Sequence, residues 1–215
     1  MQLQLFEIPK VEPTDYIPRF ASVNPLDTHN VDQVITMLLE DAEDLFGTRV
    51  DPAPYSFDGI YFGSKVPIMK YRQEEMKIVF RLSNDARNDN AKILWQIAHE
   101  CVHLITPARL WTSMFEEGLA CWFQMRWAKL CPQLFPAHKC DPQVCFENKR
   151  FLEAYTIVEE LLRQDPAAIK KLRALQPVIS KFTPKLLVTE LSNIDVPTAK
   201  LLCSRFAQRQ KLSSD

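Results

Sequence analysis

The segment at residues 91–105, AKILWQIAHECVHLI, limits the fold of this chain more than any other feature. Its apolar residues recur at intervals of three and four, which predicts an amphipathic α-helix with one buried face. Asn88 or Asp89 can cap this helix at its start, and Thr106-Pro107 end it. The buried face is the set Ile93, Leu94, Ile97, Cys101, Val102 and Leu104. The rest of the domain must therefore cover this face.

The segments before this helix predict a mixed α+β fold. Residues 28–46 repeat apolar side chains with the helical period and stop at Gly47. Residues 55–83 contain short runs rich in aromatic and β-branched residues, YSFDGIYF, VPIMKY and KIVFRLS. Because glycine and proline separate these runs, we expect two or three strands. The first 26 residues contain four prolines and little periodicity, so we expect an extended arm that lies on the domain.

The last of these runs, KIVFRLS, directly precedes the long helix in the chain. Side chains of a strand alternate between its two faces. The two alternating sets are Ile78, Phe80 and Leu82 against Val79, Arg81 and Ser83. This pattern predicts a strand with one face on the core.

The second half of the chain predicts mainly helices. Ser113 can cap a helix that runs MFEEGLACWFQMRWAKL, with Glu116 in capping-box spacing. The segment 131–145 contains three prolines and no periodicity, which predicts a loop. Residues 147–164 are again amphipathic, and short helices are expected to start at Asp165-Pro166, Thr183-Pro184 and Asp195. We expect a catalytic core with its arm at 1–130, and a loop with a helical subdomain packed on it at 131–215.

The composition is that of a folded globular protein. Of 215 residues 47% are hydrophobic, and the formal net charge is −1, which excludes disordered and collagen-like classes. No apolar run reaches the roughly 20 residues that span a bilayer, and the start lacks a basic segment followed by an apolar one. We therefore expect a cytoplasmic protein without a membrane partner. Its six cysteines should be reduced thiols.

Charge is distributed unevenly along the chain. Residues 161–215 carry ten basic and four acidic side chains. A basic tail can bind nucleic acid or an acidic partner, but no aromatic residues are interleaved with these charges and no reader motif accompanies them. We expect a solvated helical surface and no nucleic-acid partner.

The chemistry of the long helix is concentrated in the pentad HECVH, which contains two of the chain's four histidines. Residues four apart lie about 40° apart around a helix, so the imidazoles of His99 and His103 can converge on one metal ion. Glu100 lies one step around the helix, where its carboxylate can take a proton from a water molecule at the metal. The pattern favours a metal site with Glu100 as general base. The alternative is two partly buried histidines with ordinary partners and a surface glutamate.

A catalytic zinc ion normally has three protein ligands and one open position for water. The third ligand should therefore come from another element. Glu117 follows His103 at the start of the next helix, and an antiparallel helix pair with a short connection can return it to the metal. Glu116 is its rival for this role.

HECVH followed by EEGLA resembles the gluzincin metallopeptidases, whose signature is HExxH followed by a glutamate, often in an Asn-Glu-Gly-Phe-Ala-like segment. The resemblance covers residues 91–124 closely and the preceding strands loosely. It implies one zinc ion per chain held by His99, His103 and Glu117, with Glu116 at the family's asparagine. It also implies a zincin-like α+β fold: a backing helix, a small N-terminal sheet, an active-site helix and a helical C-terminal part. The implied activity is that of a zinc metallopeptidase.

Two departures from the family narrow this expectation. The thermolysin-like branch has an aspartate four residues after the glutamate, where this chain has Cys121, so the ligand histidines are left to Glu116 or a carbonyl for orientation. The aminopeptidase branch has a Gly-x-Met-Glu-Asn segment for the substrate amine, which this chain lacks. We therefore expect an endopeptidase that acts on a peptide or protein substrate. KIVFRLS is the expected edge strand for adding the extended substrate.

Hydrolysis of an amide also requires a donor opposite the zinc ion for the developing oxyanion. The resemblance implies a tyrosine or histidine from the helical part after the glutamate ligand. After Glu117 the only tyrosine is Tyr155 and the only histidine is His138. Tyr155 is the preferred catalytic candidate because it lies on a predicted helix. The alternative is that Tyr155 is a half-buried core aromatic.

The cysteines have simpler interpretations. Cys101 points away from His99 on the helix, which predicts a packing role. A second zinc site is an alternative for a set in the proline-rich segment: Cys131, His138, Cys140 and Cys145. Its spacing lacks the paired Cys-x-x-Cys pattern of structural zinc sites, so we do not expect one.

A rival function belongs to another class of protein. The chain is then a non-catalytic or highly specific regulatory protein with a zincin fold that binds, or cleaves, one partner protein. Metal content separates the enzyme from a metal-free binding module. Activity on generic peptides separates a general peptidase from one restricted to a single substrate.

Overall fold

The computed structural model describes residues 28–51, 55–107, 111–136 and 140–206, with side chains from Val31 onward. The expected arm at residues 1–26 lies outside these ranges, as does His138. Apolar side chains from the first described helix to the last form one continuous core cluster. None of the helices in the described ranges combines a membrane-spanning length with sufficient apolar character.

The described chain has a mixed α+β fold with one small sheet, as the sequence predicts. The first half contains α1 (Thr28–Phe46), β1 (Ser56–Ser64), β2 (Ile68–Arg72), β3 (Lys77–Ser83) and α2 (Asn90–Ile105). A 3-10 turn, Asn84–Ala86, joins β3 to α2. The second half contains α3 (Met114–Leu130), α4 (Pro142–Cys145), α5 (Lys149–Gln164), α6 (Ala168–Leu175), α7 (Pro184–Glu190) and α8 (Val196–Leu202), with a further 3-10 turn at Ile179–Lys181. The segment predicted as a loop therefore includes the short helix α4.

The sheet has three strands in the order β1-β3-β2. Strand β1 pairs with β3 in parallel, and β2 pairs with the other side of β3 in antiparallel orientation. The prediction that KIVFRLS is an edge strand is therefore wrong, because both of its sides are hydrogen-bonded. Within the described chain β2 is an edge strand, and it packs on α2 together with β3.

The prediction of a single buried face on β3 is also wrong. Val79 and Ser83, expected on the outer face, are only 2% and 3% exposed. The Ser83 amide donates to Gln96 Oε1 at 2.9 Å, and Gln96 Nε2 donates to the Ser83 hydroxyl at 2.5 Å. Residues on both faces of β3 are therefore buried, and this pair of hydrogen bonds ties the end of the strand to α2.

Local capping positions the two helices that carry the pentad and the acidic pair. Asp89 caps α2 by accepting from the Lys92 amide at 3.0 Å, and Ser113 caps α3 by accepting from the Glu116 amide at 3.1 Å. Both caps agree with the sequence prediction. The Ser113 cap places Glu116 and Glu117 in the first turn of α3, where the helix dipole favours negative charge.

Helix α5 approaches α3 very closely at Gly118. A Cβ atom on Gly118 would lie 2.4 Å from the backbone oxygen of Ala154, which is far below a van der Waals contact. Only glycine fits at this position. The residue after Glu117 therefore brings the backbone of α5 against the start of α3.

Arg173 of α6 joins the C-terminal helices to α1. Its guanidinium is buried and donates to three successive backbone oxygens, those of Phe46 at 2.9 Å, Gly47 at 2.5 Å and Thr48 at 2.6 Å. The carbonyls at the end of a helix lack intrahelical partners, so Arg173 satisfies the end of α1. The division into a core at 1–130 and a subdomain at 131–215 stays a prediction.

Candidate metal centre

His99 and His103 lie one turn apart on the face of α2 that meets α3. Their ring centroids are 4.9 Å apart, and the residues are 9% and 5% exposed. Burial of two imidazoles requires partners for their ring nitrogens, since an unpaired buried polar group is costly. The partners come from α3.

Glu117 faces the Nε2 atoms of both histidines. Its Oε2 lies 3.3 Å from His99 Nε2, and its Oε1 lies 3.7 Å from His103 Nε2. One ligand atom from each of the three residues lies within 4.8 Å of the others, which is close enough to hold one metal ion. Glu116, the rival for this position, contacts a different nitrogen.

The Nδ1 atom of His103 contacts Glu116 Oε1 at 2.8 Å. Glu116 is fully buried. An ionised carboxylate only accepts hydrogen bonds, so Nδ1 carries the ring proton. His103 Nε2 therefore faces Glu117, and it is the nitrogen that can bind a metal ion once its proton is lost.

His99 is oriented by Gln124, two turns after Glu117 on α3. Gln124 Nε2 donates to the backbone oxygen of Trp95 at 3.0 Å, which assigns the amide group, and Gln124 Oε1 then lies 3.1 Å from His99 Nδ1. Because an amide oxygen only accepts, His99 Nδ1 also carries the ring proton. Its Nε2 atom faces Glu117 and is left to bind a metal ion once its proton is lost.

Both imidazoles are thus held with Nδ1 protonated and Nε2 directed towards the Glu117 carboxylate. Outer hydrogen bonds of this kind select the tautomer and ring orientation of metal-ligating histidines. Two imidazoles and one carboxylate fit a divalent transition-metal ion. Among the described residues no second group of histidine, cysteine or acidic side chains converges in this way.

Cys121 lies one turn after Glu117 on α3 and is a further neighbour of His99. Its buried thiol lies close enough to the His99 ring to raise the pKa of His99. Burial raises the pKa of Cys121 above its ordinary value, although the His99 contact lowers it. The thiol is therefore a neutral neighbour of His99.

The three candidate ligands also interact electrostatically. Burial lowers the pKa of His99, but hydrogen bonds with Cys121 and Glu117 outweigh it and hold this pKa well above 6.5. Burial likewise lowers the pKa of His103, while the charges of Glu117 and Glu116 raise it overall. Burial raises the pKa of Glu117, yet His103 and His99 bring it down to about 2. In the absence of a cation, protons on the imidazoles balance the Glu117 charge.

Glu100 is not part of the ligand group. It is 3% exposed, and the backbone of Met69 on β2 lies close enough to lower the pKa of its carboxyl group slightly. Burial raises the pKa of Glu100, whereas the charges of His103 and His99 lower it less strongly. Glu100 therefore lies beside the histidines and next to the free side of β2.

Thr112, directly before the α3 cap, contacts the Glu117 carboxylate. Its hydroxyl donates to Glu117 Oε1 at 2.5 Å, and the residue is 6% exposed. This donor holds one carboxylate oxygen in the orientation that faces His103 Nε2. Nothing in the local sequence pattern marks Thr112 as a partner of Glu117.

The contacts of Tyr155 differ from those expected of an oxyanion donor. Its hydroxyl donates to Glu159 on the same helix, and its ring packs on Phe146 at 5.5 Å between centroids. It shares a buried cluster with Cys121 and Met125. These contacts favour a packing role, and the catalytic role of Tyr155 stays a prediction.

The remaining cysteines carry no metal group within the described residues. Cys101 is fully buried in the core, as expected. Cys131, Cys140 and Cys145 form no disulfides, and none of them belongs to a convergent group of three ligands. Their suggested partner His138 lies outside the described residues.

The donor geometry defines a candidate metal-binding protein with an α+β fold. Comparisons of the chain with models of known families, with curated protein sequences and with solved structures found no match. Sequence reasoning missed two contributors to the site, Gln124 and Thr112. Gln124 lies seven residues after Glu117 and therefore on the same helix face, a signal that was available from the sequence.

Proposed function

We propose that this chain is a zinc-dependent peptidase with a zincin-like fold, most similar in its site to the gluzincins. The observation that carries the proposal is the orientation of the two imidazoles. Glu116 contacts Nδ1 of His103 and Gln124 contacts Nδ1 of His99, while both Nε2 atoms face Glu117. Two histidines and a glutamate are a standard ligand set of catalytic zinc. We expect one zinc ion per chain, because the described residues contain a single group of this kind.

Glu100 is the proposed general base. It adjoins His99 on α2 but is not a ligand, and it is buried beside β2, where the backbone of Met69 influences its pKa. When bound, zinc supplies Lewis-acid chemistry that polarises a carbonyl oxygen and makes water more acidic. Glu100 takes the proton from the attacking water and transfers it to the leaving amine.

The free side of β2 is the proposed binding strand for an extended substrate. On its other side β2 pairs with β3, and the backbone of Met69 in β2 is among the groups that influence the pKa of Glu100. An extended peptide can add to such an edge through backbone hydrogen bonds. The orientation of this edge towards Glu100 supports β2, in place of β3, as the strand beside the scissile bond. An edge of this kind suits an endopeptidase.

The decisive experiment combines metal analysis with hydrolysis. The purified chain should bind about one zinc ion, and it should cleave members of a diverse peptide mixture, detected by mass spectrometry. Glu100→Gln should retain zinc and lose at least about 100-fold in cleavage rate. Glu190→Gln, an exposed position on α7, is the matched control.

The outcomes separate the two function classes. Two results together favour a zinc-containing binding module. The chain binds zinc but cleaves no peptide, and cells with the parent protein contain the same cleaved proteins as cells with Glu100→Gln. Absence of zinc after metal-replete purification rules out the proposed enzyme. Loss of zinc in Glu100→Gln assigns Glu100 a structural role instead.

A further inference from the structure

The C-terminal end of the described chain returns to the segment that precedes Glu117. The Phe206 amide donates to the Thr112 backbone oxygen at 2.8 Å, and the Met114 amide donates to the Ser204 oxygen at 3.0 Å. Ser113 and Arg205 lie opposite each other in an antiparallel bridge. Residues 204–206, the C-terminal segment, therefore form a short two-stranded pair with residues 112–114.

Side chains anchor this C-terminal segment beside the histidines. Phe206 is 5% exposed, and its ring centroid lies 4.6 Å from that of Phe151. The Phe151 centroid lies 6.2 Å from the His99 ring. The guanidinium of Arg150 covers Phe206 at 4.9 Å. The segment is thus joined to the wall of the metal centre as well as to residues 112–114.

Thr112 connects the paired backbone to the third ligand. Its backbone oxygen accepts from Phe206, and its hydroxyl donates to Glu117 Oε1. The same carboxylate oxygen lies 3.7 Å from His103 Nε2. A displaced Thr112 leaves one buried oxygen of Glu117 without this donor, and the side chain is then less restricted in its rotamers.

We propose that Thr112 is the positioning residue of Glu117, and that docking of the C-terminal segment holds Thr112 in place. Metal affinity is then coupled to the C-terminal end of the described fold. Phe206 lies 89 positions after Glu117 in the sequence. This inference rests on the proposed function, because it requires Glu117 to bind metal. Loss of an outer hydrogen bond of a ligand typically costs about 10- to 100-fold in metal affinity.

The first test replaces the Thr112 hydroxyl in the full chain. Thr112→Val should weaken zinc binding about 10- to 100-fold in a chelator competition, and Thr112→Ser should restore most of it. The visible spectrum of the Co²⁺ form should change in Thr112→Val and not in Thr112→Ser. Thr106→Val is the matched control, because Thr106 is buried and its hydroxyl has no partner in the described part of the chain. Parent-like zinc affinity and Co²⁺ spectrum in Thr112→Val overturn the proposal.

The second test addresses the C-terminal segment. Phe206→Ala should lower zinc affinity, whereas Leu172→Ala, which removes a buried side chain from α6, should lower stability alone. The double variant of Thr112→Val and Phe206→Ala should lose less than the product of the two single losses, since both act through Glu117. Independent, multiplicative losses overturn the coupling. If Phe206→Ala does not fold, the comparison of Thr112→Val with Thr112→Ser decides whether Thr112 positions Glu117.

Failure of this inference is distinguishable from failure of the proposed function. A parent protein that binds no zinc overturns both. A parent protein that binds zinc and cleaves peptides, with Thr112→Val equal to it in affinity, overturns only the positioning role.

Discussion

The two faces of α2 are both buried but are held in different ways. On one face Leu94, Ile97 and Cys101 are no more than 1% exposed and lie in the apolar core. On the other face His99 and His103 are nearly as buried, yet each ring nitrogen has a named polar partner on α3. Apolar contacts are non-directional, while a buried imidazole depends on the exact placement of a few atoms.

This difference predicts that stability and metal affinity can be changed separately. Substitutions on the apolar face remove buried area and leave cavities, so they should act on the free energy of unfolding. Substitutions on the polar face remove ligands or their orienting groups, so they should act on metal affinity. The sharpest tests change one quantity and leave the other unchanged.

The largest effect is expected from Glu117→Ala. Removal of a ligand should weaken zinc binding by more than the roughly 100-fold upper range for an outer hydrogen bond. Glu116→Ala, its neighbour in sequence, should cost about 10- to 100-fold because it orients His103 only. Chelator competition measures both. Zinc binding that survives Glu117→Ala but not Glu116→Ala contradicts the ligand assignment.

The next effect concerns the apolar face. Ile97→Ala removes a fully buried side chain and should lower the free energy of unfolding by about 2 to 5 kcal/mol, with the zinc dissociation constant of the folded protein unchanged. Urea unfolding in the presence of a chelator measures the first quantity, and competition at low temperature measures the second. A large loss of zinc affinity in Ile97→Ala shows that the two faces are not independent.

A smaller effect should appear in the pH dependence of the stability of the metal-free fold and of zinc affinity. The pKa values of His99 and His103 are raised above 6.5 in the metal-free fold, so protonated imidazoles stabilise this fold at pH below about 6.5. The contribution is lost as the pH rises through the raised pKa values. Zinc requires deprotonated imidazoles, and its affinity should increase over the same rise.

The contribution of Glu117 to the stability of the metal-free fold depends on pH in the opposite direction. Because its pKa is lowered from 4.5 to about 2, its contribution is present above pH 4.5 and is lost as the pH falls from 4.5 towards 2. Thermal unfolding in chelator across this range, for the parent and for Glu117→Gln, separates the contribution of the carboxylate from that of the histidines.

The pH dependence of zinc affinity tests the histidines themselves. Zinc affinity that is independent of pH between about 6 and 8 contradicts the assignment of imidazole ligands.

The smallest effect is expected from Tyr155→Phe. The hydroxyl contacts Glu159, so its loss should lower the free energy of unfolding by about 1 kcal/mol. Turnover should change little. The oxyanion hypothesis predicts instead a fall in turnover of about 10- to 1000-fold with zinc retained. A turnover assay with a cleaved peptide decides between them.

Features that depend on neighbours in sequence were predictable. The caps at Asp89, Ser113, Thr183 and Asp195 agree with the structure, because a side-chain oxygen and an amide two or three residues later decide where a helix starts. The helix at Thr28–Phe46 also has the predicted bounds. Its apolar period alone was sufficient evidence of one buried face.

The sheet order was not predictable in the same way. KIVFRLS has the alternation of a strand with one exposed face, yet β3 is central and Val79 is buried. Side-chain alternation reports local conformation, whereas the strand order depends on which distant segments pair. The edge beside Glu100 is therefore β2, whose position only the pairing with β3 reveals.

The sequence by itself determined the candidate donors: the HECVH spacing places two imidazoles on one face of α2, and the acidic pair begins the next helix. The tertiary structure alone decided their roles, since Glu117 faces both Nε2 atoms while Glu116 takes His103 Nδ1. It also brought Phe206 to Thr112. Helical spacing follows from backbone geometry, but a choice between adjacent carboxylates depends on how α2 and α3 pack.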